Sequence, residues 1–130
     1  MDWKKVSTEL RYEVINMSHR AKAAHLASSL SCVDILTVLY GSVLKLDSAY
    51  LKAPDRDRFI LSKGHAAAAL YAALAFKGII DPNDLLNYGK EGSLLEEHPS
   101  PKLHGVETAT GSLGHGLPIA NGMALSSKIT

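Results

Sequence analysis

Val6, Leu10, Val14, Met17 and Ala21 recur at steps of three or four residues, the repeat that gathers apolar side chains on one face of an α-helix. Lys5, Glu9, Glu13 and Arg20 fall on the other faces, so the spacing predicts an amphipathic helix from Trp3 to about Ala24 with one face committed to a core. A chain of 130 residues holds one modest domain around that face, and two full domains are not expected.

The rest of the chain reads as further short elements. A second helix is expected from about Ser31 to Leu44, because Ser31 and Asp34 have the hydroxyl-to-acid spacing of a capping box and a broad apolar run follows. The polar stretch LDSAYLKAPDRDR is a connection, and the short run Phe59-Ile60-Leu61 reads as a strand. Ser62-Lys63-Gly64-His65 leads into AAAALYAALAFKG, a helix on alanine and leucine propensity with Gly78 as its stop. Asp81-Pro82 starts a short helix to about Tyr88. Between Gly89 and Gly116 periodicity fades while glycine, proline, serine and histidine accumulate, as in site-lining loops and in ordinary ones. The closing run LPIANGMALSSK predicts a buried helix with Pro118 in its first turn.

Charge excludes some partners. Fourteen basic and thirteen acidic residues leave a formal charge of +1 without a basic block, which offers nucleic acid or an anionic membrane surface no electrostatic footing. No apolar run has the length of a membrane span. The one cysteine, Cys32, has no internal disulfide partner, consistent with a reducing cytoplasm, and it reads as a buried thiol.

Three groups of residues could carry chemistry. In Gly111-Ser112-Leu113-Gly114-His115-Gly116, glycines free the backbone to converge N–H groups on an anion at a helix start, and a diphosphate would suit such a pocket. A purely structural glycine turn satisfies the same local pattern. Lys63 and His65 stand between an apolar run and a helix, where an imidazole can exchange protons or simply cap a turn. His25 follows the first helix, and His98 with His104 and the adjoining Glu96 and Glu97 could be drawn as a metal site, although the spacing specifies no coordination set. Asp55, Arg56, Asp57 and Arg58 alternate in sign and read as a turn with its ion pairs.

Taken together, KAAHLASSLSCVDILTVLY, PDRDRFILSKGHAAAALYAALAFKG, EEHPSPKLHGVE and TATGSLGHGLPIANGMALSSK resemble the N-terminal region of transketolases, particularly those split into two chains. Their order and separations hold across nearly the whole sequence. The resemblance implies an α/β fold: a partial thiamine-diphosphate-binding domain, residues 1–130, with helices around a mainly parallel sheet. It implies a thiamine-diphosphate-dependent transfer of a two-carbon ketol unit between a ketose and an aldose, with sugar phosphates as substrates. On this likeness Gly111, Ser112 and Leu113 line the cofactor, His65 approaches its diphosphate, and His25 and His98 face the sugar hydroxyls as catalytic residues. It further implies Mg2+ or Ca2+ held by ligands outside these residues. The implied partner is a pyrimidine-binding domain or C-terminal transketolase subunit, in a dimeric or higher assembly with a cytoplasmic location. The isolated chain is then expected to be inactive.

Some positions depart from the family. Ala23-Ala24-His25-Leu26-Ala27 stands where Ser-Gly-His-Pro-Gly is usual, which narrows or repositions that part of the pocket. Ser112 stands where proline is frequent, and His115 where glutamine is common, so His115 receives no proton-transfer role. Another thiamine-diphosphate transferase, such as a relative of deoxyxylulose-phosphate synthase or an amino- or deoxy-sugar variant, is the nearest alternative. A noncatalytic partner subunit is the alternative from a different class.

Overall fold

The computed structural model describes residues 1–46, 48–49 and 51–129. Helix α1 spans Trp3–Ala21, with Asp2 as N-cap accepting from the Lys5 N–H at 3.1 Å. Its predicted apolar face is the buried one: Val14 and Met17 are fully enclosed, and Val6 and Leu10 nearly so. Each such side chain stabilises the fold by roughly 1.5–3 kcal/mol through removal from water. The helix ends at Lys22, which takes a left-handed conformation (φ 50°), so α1 is slightly shorter than the sequence pattern suggested.

The expected single helix over 31–44 is two helices and a π turn. Helix α2 covers Leu26–Leu30, α3 covers Val33–Val38, and a π-helical turn continues α3 through Leu39–Val43. The Ser31–Asp34 capping box does not form, because both side chains have other partners. Asp34 pairs with Arg11 of α1 at 2.5 Å, while the Ser31 hydroxyl donates to the Ser28 carbonyl and accepts from Lys63. The π turn accommodates Trp3, whose indole lies where a Gly41 Cβ would project.

A 3-10 turn at Gly64–Ala66 opens α4, Ala67–Phe76, in which every residue from Ala67 to Ala75 is buried. Gly78 (φ 73°) ends it as expected: the Gly78 N–H donates to Ala75 O at 3.0 Å and the Ile79 N–H to Leu74 O at 2.9 Å, the paired bonds of a Schellman motif. Asp81 caps a 3-10 turn over Pro82–Asn87 by accepting from the Asn83 N–H. The stretch from Gly89 to Gly116 forms turns and bends up to the start of α5, Gly116–Ile129. Helices α1, α2 and α3 all pack on α4.

Two expectations are corrected. Among the described residues there is no β-strand, so the α/β fold with helices around a mainly parallel sheet is replaced by an all-helical arrangement with long irregular connections. Strand pairing needs a second backbone in register, and the Leu61 carbonyl accepts instead from the Thr110 hydroxyl at 2.7 Å. The apolar run Phe59–Leu61 signalled burial rather than a ladder: Leu61 is in the core, and Phe59 meets the Tyr40 ring edge-on at 5.4 Å between centroids. Helix α5 was expected to be buried, yet Gly116 is its only buried residue among those described, and Leu117, Leu125 and Ile129 are exposed. No helix among the described residues is long and apolar enough to cross a membrane.

Filling the Gly41 contact tests this packing. Gly41→Ala should lower the unfolding free energy by about 1–3 kcal/mol through overpacking against Trp3, measured as a shift in the urea midpoint followed by tryptophan fluorescence. An unchanged midpoint would show that the indole is free to move aside.

Candidate functional site

Three separate elements bring three imidazoles together. His25 begins α2, His65 lies in the 3-10 turn ahead of α4, and His98 belongs to the irregular stretch. The His25 and His65 rings are 5.2 Å apart between centroids and those of His25 and His98 6.2 Å, both edge-on. The sequence separations of these residues gave no hint of a shared locus.

The backbone at or beside each histidine is fixed by local geometry or by a neighbour. His25 adopts a left-handed conformation (φ 68°), which histidine tolerates better than most side chains. It turns the chain from the end of α1 into α2. His98 is held by its carbonyl and its sequence neighbours: the buried Tyr71 hydroxyl donates toward Glu96 O at 2.9 Å and His98 O at 3.3 Å, and Pro99 is buried beside it. Burial, with Tyr88 and Glu96 adding, pushes the Tyr71 phenol far above its ordinary range, so it remains a donor. His65 follows Gly64, whose α-carbon is pressed against the Thr110 backbone so closely that a Cβ would collide with the carbonyl.

Thr110 connects this group to the glycine turn. Its hydroxyl closes on Leu61 while its carbonyl meets Gly64, and the chain then emerges at Gly111, Ser112 and Leu113, all exposed. Gly111 lies beside His98, with the ring Cδ2 3.5 Å from where a Cβ would stand. The structure thus brings His25, His65, His98 and Gly111 together, and Ser112 and Leu113 continue along the open surface toward the start of α5. Upstream of Thr110, Glu107 is nearly buried between Arg56 and Arg58: its Oε2 accepts from Arg56 Nη2 at 3.0 Å and from Arg58 Nη1 at 3.2 Å. The alternating charges at 55–58 therefore anchor a distant loop as well as their own turn.

His65 is held below its ordinary value of 6.5 by partial desolvation first, and then by the charges of His25, Lys63 and His98. A neutral His65 can donate one N–H while accepting at the other nitrogen. Cys32 is half-buried, and desolvation raises its thiol; its Sγ lies 3.3 Å from Ser29 O, as in a helix-packed thiol. Among the described residues no group of three or more His, Cys, Asp or Glu side chains is placed to hold a metal ion. The arrangement drawn from Glu96, Glu97, His98 and His104 is accordingly absent.

The pattern that defines "Transketolase, thiamine diphosphate binding domain" matches residues 3–130. The chain belongs to that family. It is 39% identical over 123 residues to one of the subunits of the "Apulose-4-phosphate transketolase" of Phocaeicola vulgatus, a match covering 95% of this chain and 44% of that protein. It is 43% identical over 122 residues to human "Transketolase-like protein 2", covering 94% of this chain and 20% of that protein. Among solved structures, "Transketolase from Leishmania mexicana" superposes with a TM-score of 0.89 at 32% identity, covering 95% of this chain and 19% of that one. The chain thus spans less than half the length of these relatives and is, across its own length, an N-terminal transketolase-family domain.

Tyr71, Thr110 and Glu107 escaped the sequence reading. A tyrosine inside an alanine-rich helix signals core, and nothing local to Thr110 or Glu107 indicates partners some fifty residues away. The His65 environment makes stability pH-dependent with a defined sign. Because its folded value is depressed, the contribution is complete above about pH 6.5, the ordinary value, and is lost as pH falls through the folded value. His65→Gln should flatten the decline of the urea midpoint below pH 6.5 relative to the wild type; curves that stay parallel would disprove the linkage.

Proposed function

We propose that this chain supplies the diphosphate-binding part of a thiamine-diphosphate-dependent transketolase that moves a two-carbon ketol unit from a ketose to an aldose, both sugar phosphates. The observation that carries the reading is the convergence of His25, His65 and His98 beside Gly111, within a chain of the matching family. The residues fit the cofactor physically. The 111–115 turn is exposed rather than packed into a dry core, and it precedes a helix whose first N–H groups lack intrahelical acceptors and favour negative charge.

In this reading Gly111, Ser112 and Leu113 line the diphosphate, and His65 donates an N–H to a phosphate oxygen. His25 and His98 orient sugar hydroxyls and carry protons to and from them, work for which imidazole is suited near neutral pH. Thiamine diphosphate, when bound, supplies the ring that stabilises negative charge on carbon while a carbon–carbon bond is broken or made. The Mg2+ or Ca2+ that accompanies the cofactor would take its ligands from outside this chain, so no step is assigned to it.

The domain over 1–130 works as one part of a larger assembly. Support comes from the share of each relative that it spans and from the name of the Phocaeicola protein, one subunit of a transketolase named for a phosphorylated sugar. The partner is a pyrimidine-binding domain or a second transketolase chain, and the isolated chain does not catalyse ketol transfer. Robust transfer by purified residues 1–130, free of longer protein, would refute this.

Gly111 separates cofactor binding from folding. An alanine there meets His98 only at ordinary contact distance, so Gly111→Ala should leave the urea midpoint unchanged. In the complete assembly it should weaken thiamine diphosphate binding about tenfold, a loss of roughly 1.4 kcal/mol, measured calorimetrically with magnesium present. Unaltered affinity would remove Gly111 from the cofactor path. His98→Ala should lower kcat by about 10²-fold or more with assembly intact, the usual contribution of a positioned proton carrier; full turnover would dismiss it from the mechanism.

A further inference from the structure

Helix α2 has only five residues, and Ser29 is its one buried side chain. A helix this short has no intrinsic stability in water, and its entry through His25 at φ 68° adds backbone strain. Its apolar hold is small, Leu30 against the core with contacts to α1 and α4, and the His25 ring rests on the position so set.

Lys63 supplies a polar restraint in addition to that packing. Its half-buried side chain crosses from the turn before α4 to the C-terminal end of α2, where Nζ donates to Ser28 O at 2.9 Å and to Ser31 Oγ at 2.6 Å. Ser31 Oγ in turn donates to Ser28 O at 2.9 Å, closing a three-membered network. A cation at a helix C-terminus satisfies carbonyls that have no intrahelical donor and complements the negative end of the helix. Lys63 is also two residues from His65 in sequence, so one side chain ties the element bearing His25 to the turn bearing His65.

We propose that Lys63 is a positioning residue: it clamps α2 to the His65 turn and so sets the spacing of the His25 and His65 rings. A lysine beside an anion-binding turn would ordinarily be assigned to the anion, but here the ammonium is directed to two oxygens at the end of α2. The importance of that spacing for turnover rests on the transketolase reading; the clamp itself does not.

The test is the ring-to-ring nuclear Overhauser cross-peak between His25 and His65, assigned by single His→Gln variants and recorded in the 130-residue chain without cofactor. The wild type should show the peak. Lys63→Met should lose it, and Lys63→Arg, which returns a cation able to reach both oxygens, should restore it. An undiminished peak in Lys63→Met overturns the clamp. If Lys63→Met fails to fold, Ser31→Ala decides the matter, since it keeps the charge and removes the 2.6 Å acceptor: a weakened peak supports the clamp and an unchanged one overturns it. Absence of ketol transfer by the wild-type assembly would sink the transketolase reading while leaving these peaks as measured.

Discussion

A helix buried on every side governs the arrangement of this domain. From Ala67 to Ala75 no side chain of α4 reaches solvent appreciably, and six of those nine residues are alanine, so α1, α2 and α3 can approach its backbone closely. Small side chains remove the spacing that larger ones would impose, and close packing transmits any displacement to the surrounding helices. An enclosed helix of this kind has no polar face through which its orientation could drift.

The candidate site residues sit on segments that bury little themselves and borrow their rigidity from that centre. Tyr71 projects from α4 to the loop carbonyls at Glu96 and His98, Thr110 bridges Leu61 and Gly64, and Glu107 is gripped by two arginines. Each is a polar contact made in a partly dry environment, where leaving one partner unsatisfied is costly. The irregular stretch between Gly89 and Gly116 can therefore hold an imidazole in place without a sheet beneath it.

Much of the helical framework was legible because it follows local rules. The apolar repeat of α1, the alanine content of α4, the Gly78 stop and the Asp81 cap all act within a few residues. Sequence and structure part where distant partners decide the outcome. Asp34 belongs to Arg11 and Ser31 to Lys63 rather than to one capping box, and Phe59–Leu61 is apolar because it meets Tyr40 and the core, not another strand. For the site, resemblance singled out His25, His65, His98 and the glycine turn, whereas their approach to one another depends on Tyr71 and Thr110, which no local pattern marks.

The left-handed backbone at His25 restricts what that position can become, independently of imidazole chemistry. A β-branched residue there would face a steric penalty, whereas glycine or asparagine would be comfortable. Substitution tolerance at this site therefore mixes two demands, one from the torsion angle and one from the ring. Asparagine separates them: it accepts the turn and removes the imidazole, so it isolates the contribution of the ring where valine would report mainly on the backbone.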